Sequence, residues 1–135
     1  MSRRAARDYA YKLVFEYIFR GERADVSYDL VCADPSITAA DKQYVDRVYN
    51  GVLDHYDELV LLISSNTTGF NPERIFKPDL AALLVAAYEM KYMDDIPMPV
   101  SVSEVLELVK SYSTEKSASF VNGVLAGIYK SLKKE

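Results

Sequence analysis

The sequence predicts an all-α protein, and three observations carry that prediction. Apolar residues recur at helical spacing in nearly every segment. Proline, glycine and capping residues cluster between those segments. No segment alternates apolar and polar residues as a half-buried strand would. About six or seven helices follow, in two groups of roughly three, with short connections implying antiparallel neighbours.

The first helix is expected from residue 2 to about residue 20. Steps of about 100° per residue put Ala6, Ala10, Leu13, Val14 and Tyr17 on one side, which is the core stripe. Arg4, Arg7, Tyr11 and Phe15 follow the other side. Arg3, Arg4 and Arg7 come with no acid among residues 1–7. That charge sits at the helix end where the dipole disfavours it. One reading is a face offering arginines to phosphate and rings to unstacked bases. The other is a basic, solvated chain start, with Phe15 covered by a neighbouring helix.

Gly21 ends this helix. Asp25 to Ala33 is expected as a short second helix with Val26, Leu30 and Val31 inward, closed by Asp34-Pro35. Thr38 caps a longer segment, with Asp41 as its partner, whose apolar line runs through Tyr44, Val48, Val52, Tyr56, Leu59 and Ile63. Its length predicts a bend or break between Gly51 and Tyr56. Ser64 to Gly69 resembles a linker, so a boundary is expected between residues 1–68 and 69–135. Asn71-Pro72 then caps a short turn. Pro78 opens a helix that is apolar nearly all round and so forms the centre of the second half. Asp94 to Pro99 is a break. From Val100 to Leu125 a helix, a tight turn and a second helix are expected. Ser101 and Glu104 form a capping box for the first, and Ser113 or Thr114 caps the second. Phe120, Asn122 and Gly123 lie inside that second helix although Asn and Gly are weak helix formers, and a close helix crossing with no room for a side chain is the expected cause at Gly123.

Composition narrows the function. The chain has 135 residues, enough for one compact domain or two small subdomains sharing a core, and a net charge of −4. Any nucleic-acid contact must therefore be a local patch. The single cysteine, Cys32, excludes an internal disulfide and fits a reducing, cytoplasmic setting. No apolar run approaches ~18 residues, so no membrane span is expected. There is no glycine-rich phosphate loop and no cysteine- or histidine-rich metal spacing. The single histidine, His55, reads as a surface or boundary residue. No cofactor and no enzymatic activity are expected; a binding or adaptor role is.

The residues themselves carry a family likeness over nearly the full length. Its most specific part is Ile96-Pro97, Val100, Val102, Glu104, Glu107, Leu108, Lys110, Tyr112, Glu115, Ser117 and the block Phe120-Val121-Asn122-Gly123-Val124-Leu125. Ala87-Tyr88-Glu89-Met90, the arginine-rich start and Phe15 add to it. The chain resembles the NusB transcription antitermination factor family. The resemblance implies two three-helix bundles packed across each other, with about seven helices. It implies a partner, ribosomal protein S10 (NusE), and binding of single-stranded boxA RNA in nascent ribosomal RNA leaders. It implies read-through of terminators by an RNA polymerase elongation complex that carries other antitermination factors. Some members form homodimers that mask the RNA-binding face. Carried over by position, Arg3, Arg4, Arg7, Tyr11, Phe15, Phe120 and Asn122 would face RNA. Asp79 stands where the family has an acid that contacts S10, and Lys116 stands near a second contact position.

The sequence departs from the pattern at Leu80 and Leu84, where arginines are usual. It departs also at Ser103 for asparagine, and where a tryptophan is missing near Phe70. The alternative reading is an adaptor that binds a ribosomal or transcription protein and no RNA.

Overall fold

The computed structural model describes residues 2–67 and 72–133, and in them the chain is all helical. Seven α-helices follow in order: α1 (Arg3–Arg20), α2 (Asp25–Cys32), α3 (Ala39–Asp54), α4 (Tyr56–Ser64), α5 (Lys77–Tyr92), α6 (Met98–Tyr112) and α7 (Glu115–Lys133), with a short 3-10 turn at Pro72–Arg74. The linker at residues 68–69, the Asn71 cap and Phe70 lie outside the described residues.

The ends of these helices follow local chemistry. Ser2 caps α1 by accepting from the Ala5 N–H at 3.1 Å, and Gly21 closes it with a φ of 75°. Thr38 caps α3 through the Asp41 N–H at 3.1 Å. The long central segment does break, at His55, which ends α3 and begins α4. Thr114 caps α7 through the Ser117 N–H at 3.2 Å. The expected capping box of α6 does not form. That helix starts earlier, at Met98, with Pro99 in its first turn where a missing N–H costs nothing. Ser101 is then interior and fully buried.

α5 is the centre. Every residue from Asp79 to Met90 on it is buried, because α1, α3 and α4 pack on it from the first group and α6 and α7 from the second. One continuous apolar core runs through both groups. Gly51 on α3 permits this packing: a Cβ there would overlap the Tyr88 ring of α5. Gly123, expected at such a crossing, faces open space; Gly127 fills that role against Asn66. Of the three residues expected inward on α2, only Val31 is buried. Val26 is 73% and Leu30 69% exposed, because this short helix touches the body mainly through α1.

Candidate RNA and partner interface

Two neighbourhoods emerge on and around α1. The first is its arginine-bearing start. The three arginines do not share one environment. Arg4 is exposed, and its guanidinium meets the Glu104 carboxylate of α6 at 2.7 and 3.4 Å. Arg3 is also exposed; it lies 4.5 Å over the Tyr44 ring and 3.9 Å from Asp41. Arg7 is interior, at 3% exposure. Its guanidinium forms a fork with Glu89 at 2.8 and 2.9 Å.

Glu89 is a hub. Besides Arg7 it accepts from the Tyr44 hydroxyl at 2.6 Å and from the Ser101 hydroxyl at 2.9 Å. Four helices, α1, α3, α5 and α6, are thereby joined at one buried carboxylate. Burial alone would lower the Arg7 pKa, but the hydrogen bonds to Glu89 and the nearby negative charge outweigh it and hold the group above its ordinary value. Burial pushes the Tyr44 phenol well up, and the Glu89 charge adds to that. Arg7 is thus a structural tie and not part of an open arginine face.

Tyr11 is also corrected. It is buried, with its ring stacked 5.4 Å from Tyr112 of α6. The exposed ring of that pair is Tyr112, at 46%. Its hydroxyl donates to Asp8 at 2.6 Å, and Lys12 lies 5.7 Å over its face. The carboxylates of Asp8, Glu104 and Glu107 line the shallow cleft between the start of α1 and the second half of α6. This arrangement answers the unfavourable dipole of α1. Its first turn has no acid of its own, and α6 and α3 supply the negative charge instead. The hydrogen bonds to Arg4 hold the Glu104 carboxyl below the usual carboxylate range.

The second neighbourhood is a cleft of about 410 Å³ between the start of α5 and the start of α7. Asp79, Lys116, Ser117 and Phe120 line it, with Phe76 at its edge. Asp79 is 4% exposed, and its Oδ1 has no hydrogen-bond partner among the described residues. Burial pushes its carboxyl pKa up, and the Ser117 hydroxyl offsets part of this. Lys116 is exposed, while Phe120 is half-buried against the core. Phe15 is likewise half-buried. Asn122 is exposed but opens on a different groove, between α6 and α7.

Sequence reasoning missed Phe19, which is 70% exposed with Lys77 5.1 Å over its ring. It lies four residues beyond Phe15, a spacing that places both on one helix face. Glu104 is legible as an acid of the block that carries the family resemblance, yet its partnership with Arg4 joins residues 100 positions apart.

Among the described residues no cluster of three metal-ligating side chains exists, and no helix is long and apolar enough to cross a membrane. Fold and surface define a class: an all-helical binding protein with a mixed-charge, ring-bearing face beside a cleft that holds an unsatisfied carboxylate. The NusB family model matches residues 4–130, and the chain belongs to the NusB family. It is 38% identical to the transcription antitermination protein NusB of Ruminiclostridium cellulolyticum, over 96% of this chain and 90% of that protein. To the NusB of Agathobacter rectalis it is 35% identical, over 93% and 98%. Among solved structures, T. maritima NusB superposes with a TM-score of 0.88 at 30% identity, covering 96% of this chain and 92% of that one. A NusB determined with NusE and double-stranded RNA superposes at 0.84 with 25% identity, covering 96% of each. Proteins of this family are antitermination factors and not enzymes.

Proposed function

We propose that this chain is a transcription antitermination factor that binds boxA RNA together with S10 (NusE), so that RNA polymerase with its other factors reads through terminators in ribosomal RNA leaders. The observation that carries this reading is the family match across residues 4–130. The geometry supports a division of labour. Arg3 and Arg4 offer cations to phosphate at the start of α1. Tyr112, Phe15 and Phe120 offer ring surface for stacked bases, which suits single-stranded RNA better than a duplex whose bases are already paired. Asn122 has the amide that reads a base edge, and it requires the strand to pass over α7. Arg7 and Tyr11 act indirectly: they fix α1 against α5 and α6. Asp79 and Lys116 form the S10 contact, where a donor from the partner would satisfy the Asp79 Oδ1. The setting is cytoplasmic, where transcription and ribosomal proteins meet.

One titration tests the whole reading. Labelled boxA RNA, a scrambled strand and a boxA duplex are each titrated with the protein, with and without S10. Single-stranded boxA should bind best, and S10 should tighten it. Affinity should fall steeply with salt, since phosphate contacts release counterions. Equal affinity for all three RNAs with no gain from S10 overturns the reading, and tight S10 binding with no RNA binding favours the adaptor alternative.

A further inference from the structure

We propose that the open groove between α6 and α7 is a second protein-docking site, and that its occupant is an acidic amphipathic helix of a partner protein. The groove encloses about 640 Å³ and lies away from both clefts described above, with Asn122 at one end of its α7 wall. Its α6 wall is Pro99, Val102 and Leu106, and its α7 wall is Ala126 and Tyr129, with Lys130 and Lys133 along the rim. Among the described residues no carboxylate lines it.

Three features select the occupant. The walls are apolar and half-exposed, so water is displaced favourably by another apolar surface. Shape favours a helix. From Asn122 to Lys133 the α7 wall runs about 16 Å at about 1.5 Å per residue, which matches three turns of a second helix laid alongside. Ala126 and Ser103 are small and leave room for the anchor side chains of such a helix.

Charge then fixes its character. Lys130 and Lys133 make no ion pair with any described residue; Lys133 rests 5.5 Å over the Tyr129 ring. The chain is otherwise acidic, at −4, and several of its other exposed cations already face carboxylates, as Arg4, Lys12, Arg20 and Arg47 do. Two uncommitted lysines beside an apolar trough therefore favour carboxylates flanking an apolar stripe. RNA fits less well, because the trough offers one ring and its cations stand only at one end.

A fluorescein-labelled helical peptide of 14 residues serves as probe, with leucines at i, i+4 and i+7 and glutamates on both flanks. A matched peptide carries lysines in place of the glutamates. Fluorescence anisotropy should show the glutamate peptide binding at least about tenfold more tightly than the lysine peptide. Ala126→Trp, which fills the trough from an exposed position, should weaken peptide binding by about tenfold or more and leave S10 affinity unchanged. The double change Lys130→Glu with Lys133→Glu should reverse the preference between the peptides. Amide resonances of α6 and α7 should shift on binding, and those around Asp79 should not.

Binding of neither peptide, or equal binding of both with the α6 and α7 resonances unmoved, overturns the proposal. Displacement of the peptide by poly-U would assign the groove to RNA and overturn it as well. So would concentration-dependent self-association in sedimentation that Ala126→Trp abolishes. That result would make a second copy of this chain the occupant, through the exposed Val26 and Leu30 of α2. Because S10 and boxA binding are titrated without the peptide, failure here leaves the antitermination reading standing, and failure of that reading leaves this one intact.

Discussion

Two carboxylates on α5, ten residues apart, are both buried and have opposite fates. Glu89 is fully buried and accepts from Arg7, Tyr44 and Ser101. Asp79 is nearly as buried, yet one of its oxygens has no partner among the described residues. A buried charge that is paired and hydrogen-bonded belongs to the fold. A buried acceptor left unsatisfied beside an open cleft is a cost the isolated chain bears, and a partner's donor can remove it. The same residue chemistry thus makes an internal tie in one place and, in the other, leaves an open acceptor at the docking point we propose for S10.

Removing each carboxylate separates the two roles. Glu89→Ala strands the Arg7 guanidinium in the interior, and stability should fall by about 3–5 kcal/mol, measured by urea denaturation. A loss below about 1 kcal/mol would mean that the tie does not bear on the fold. Asp79→Ala should cost S10 affinity instead, by about 10- to 100-fold in a binding titration, as expected for a hydrogen bond to a charged group. Its stability should stay within about 1 kcal/mol of the parent. Were the same variant to unfold with unchanged S10 affinity, the contrast would collapse.

Titration sharpens the comparison further. Burial raises the folded-state pKa of Asp79 above its ordinary value. The unfolded chain therefore releases this proton first as pH rises. Asp79 consequently subtracts stability as pH climbs from the unfolded value through the raised folded one, and the full subtraction remains above it. Asp79→Asn should flatten that part of the stability–pH curve, and bound S10 should do the same if it stabilises the charged form. Glu104 runs the other way. Its folded pKa is lowered, mainly by Arg4, so its contribution is present above the unfolded value and fades as pH falls through the folded one.

The smallest effect expected is at this exposed pair. Glu104→Gln removes a carboxylate that competes with phosphate for Arg4. RNA affinity should rise about two- to fivefold at low salt, because an exposed ion pair is worth only about 0–1 kcal/mol. The gain should vanish at high salt, and an unchanged affinity would remove Arg4 from the RNA face.

Much of the fold was legible because it is written in local chemistry. The Ser2, Gly21 and Thr38 ends, the break at His55 and the all-round apolar α5 each depend on a few neighbouring residues. The errors have physical causes. Ser101 carries the capping-box pattern, but Pro97 and Pro99 let α6 begin a turn earlier, and Glu89 claims the serine. Arg7 and Tyr11 lie outside the apparent core stripe of α1, yet this helix is covered on two sides, so its second side is interior as well. Gly123 looked like a crossing point, whereas Gly51 and Gly127 meet the neighbouring side chains. Val26 and Leu30 have the spacing of a buried face but no second helix to cover them.

The site divides in the same way. The sequence alone was enough to nominate the arginine start, Phe15, Asp79 and the Phe120–Leu125 block as candidates, because residue type and family resemblance do not require distances. Which arginines face solvent was settled only by tertiary structure. Arg4 and Glu104 are 100 positions apart, and Arg7 and Glu89 are 82 apart. Local pattern sets where helices start, stop and turn their apolar sides. Only packing decides which charges those helices bring together, and in the interior a charge has a role according to whether it finds its partner.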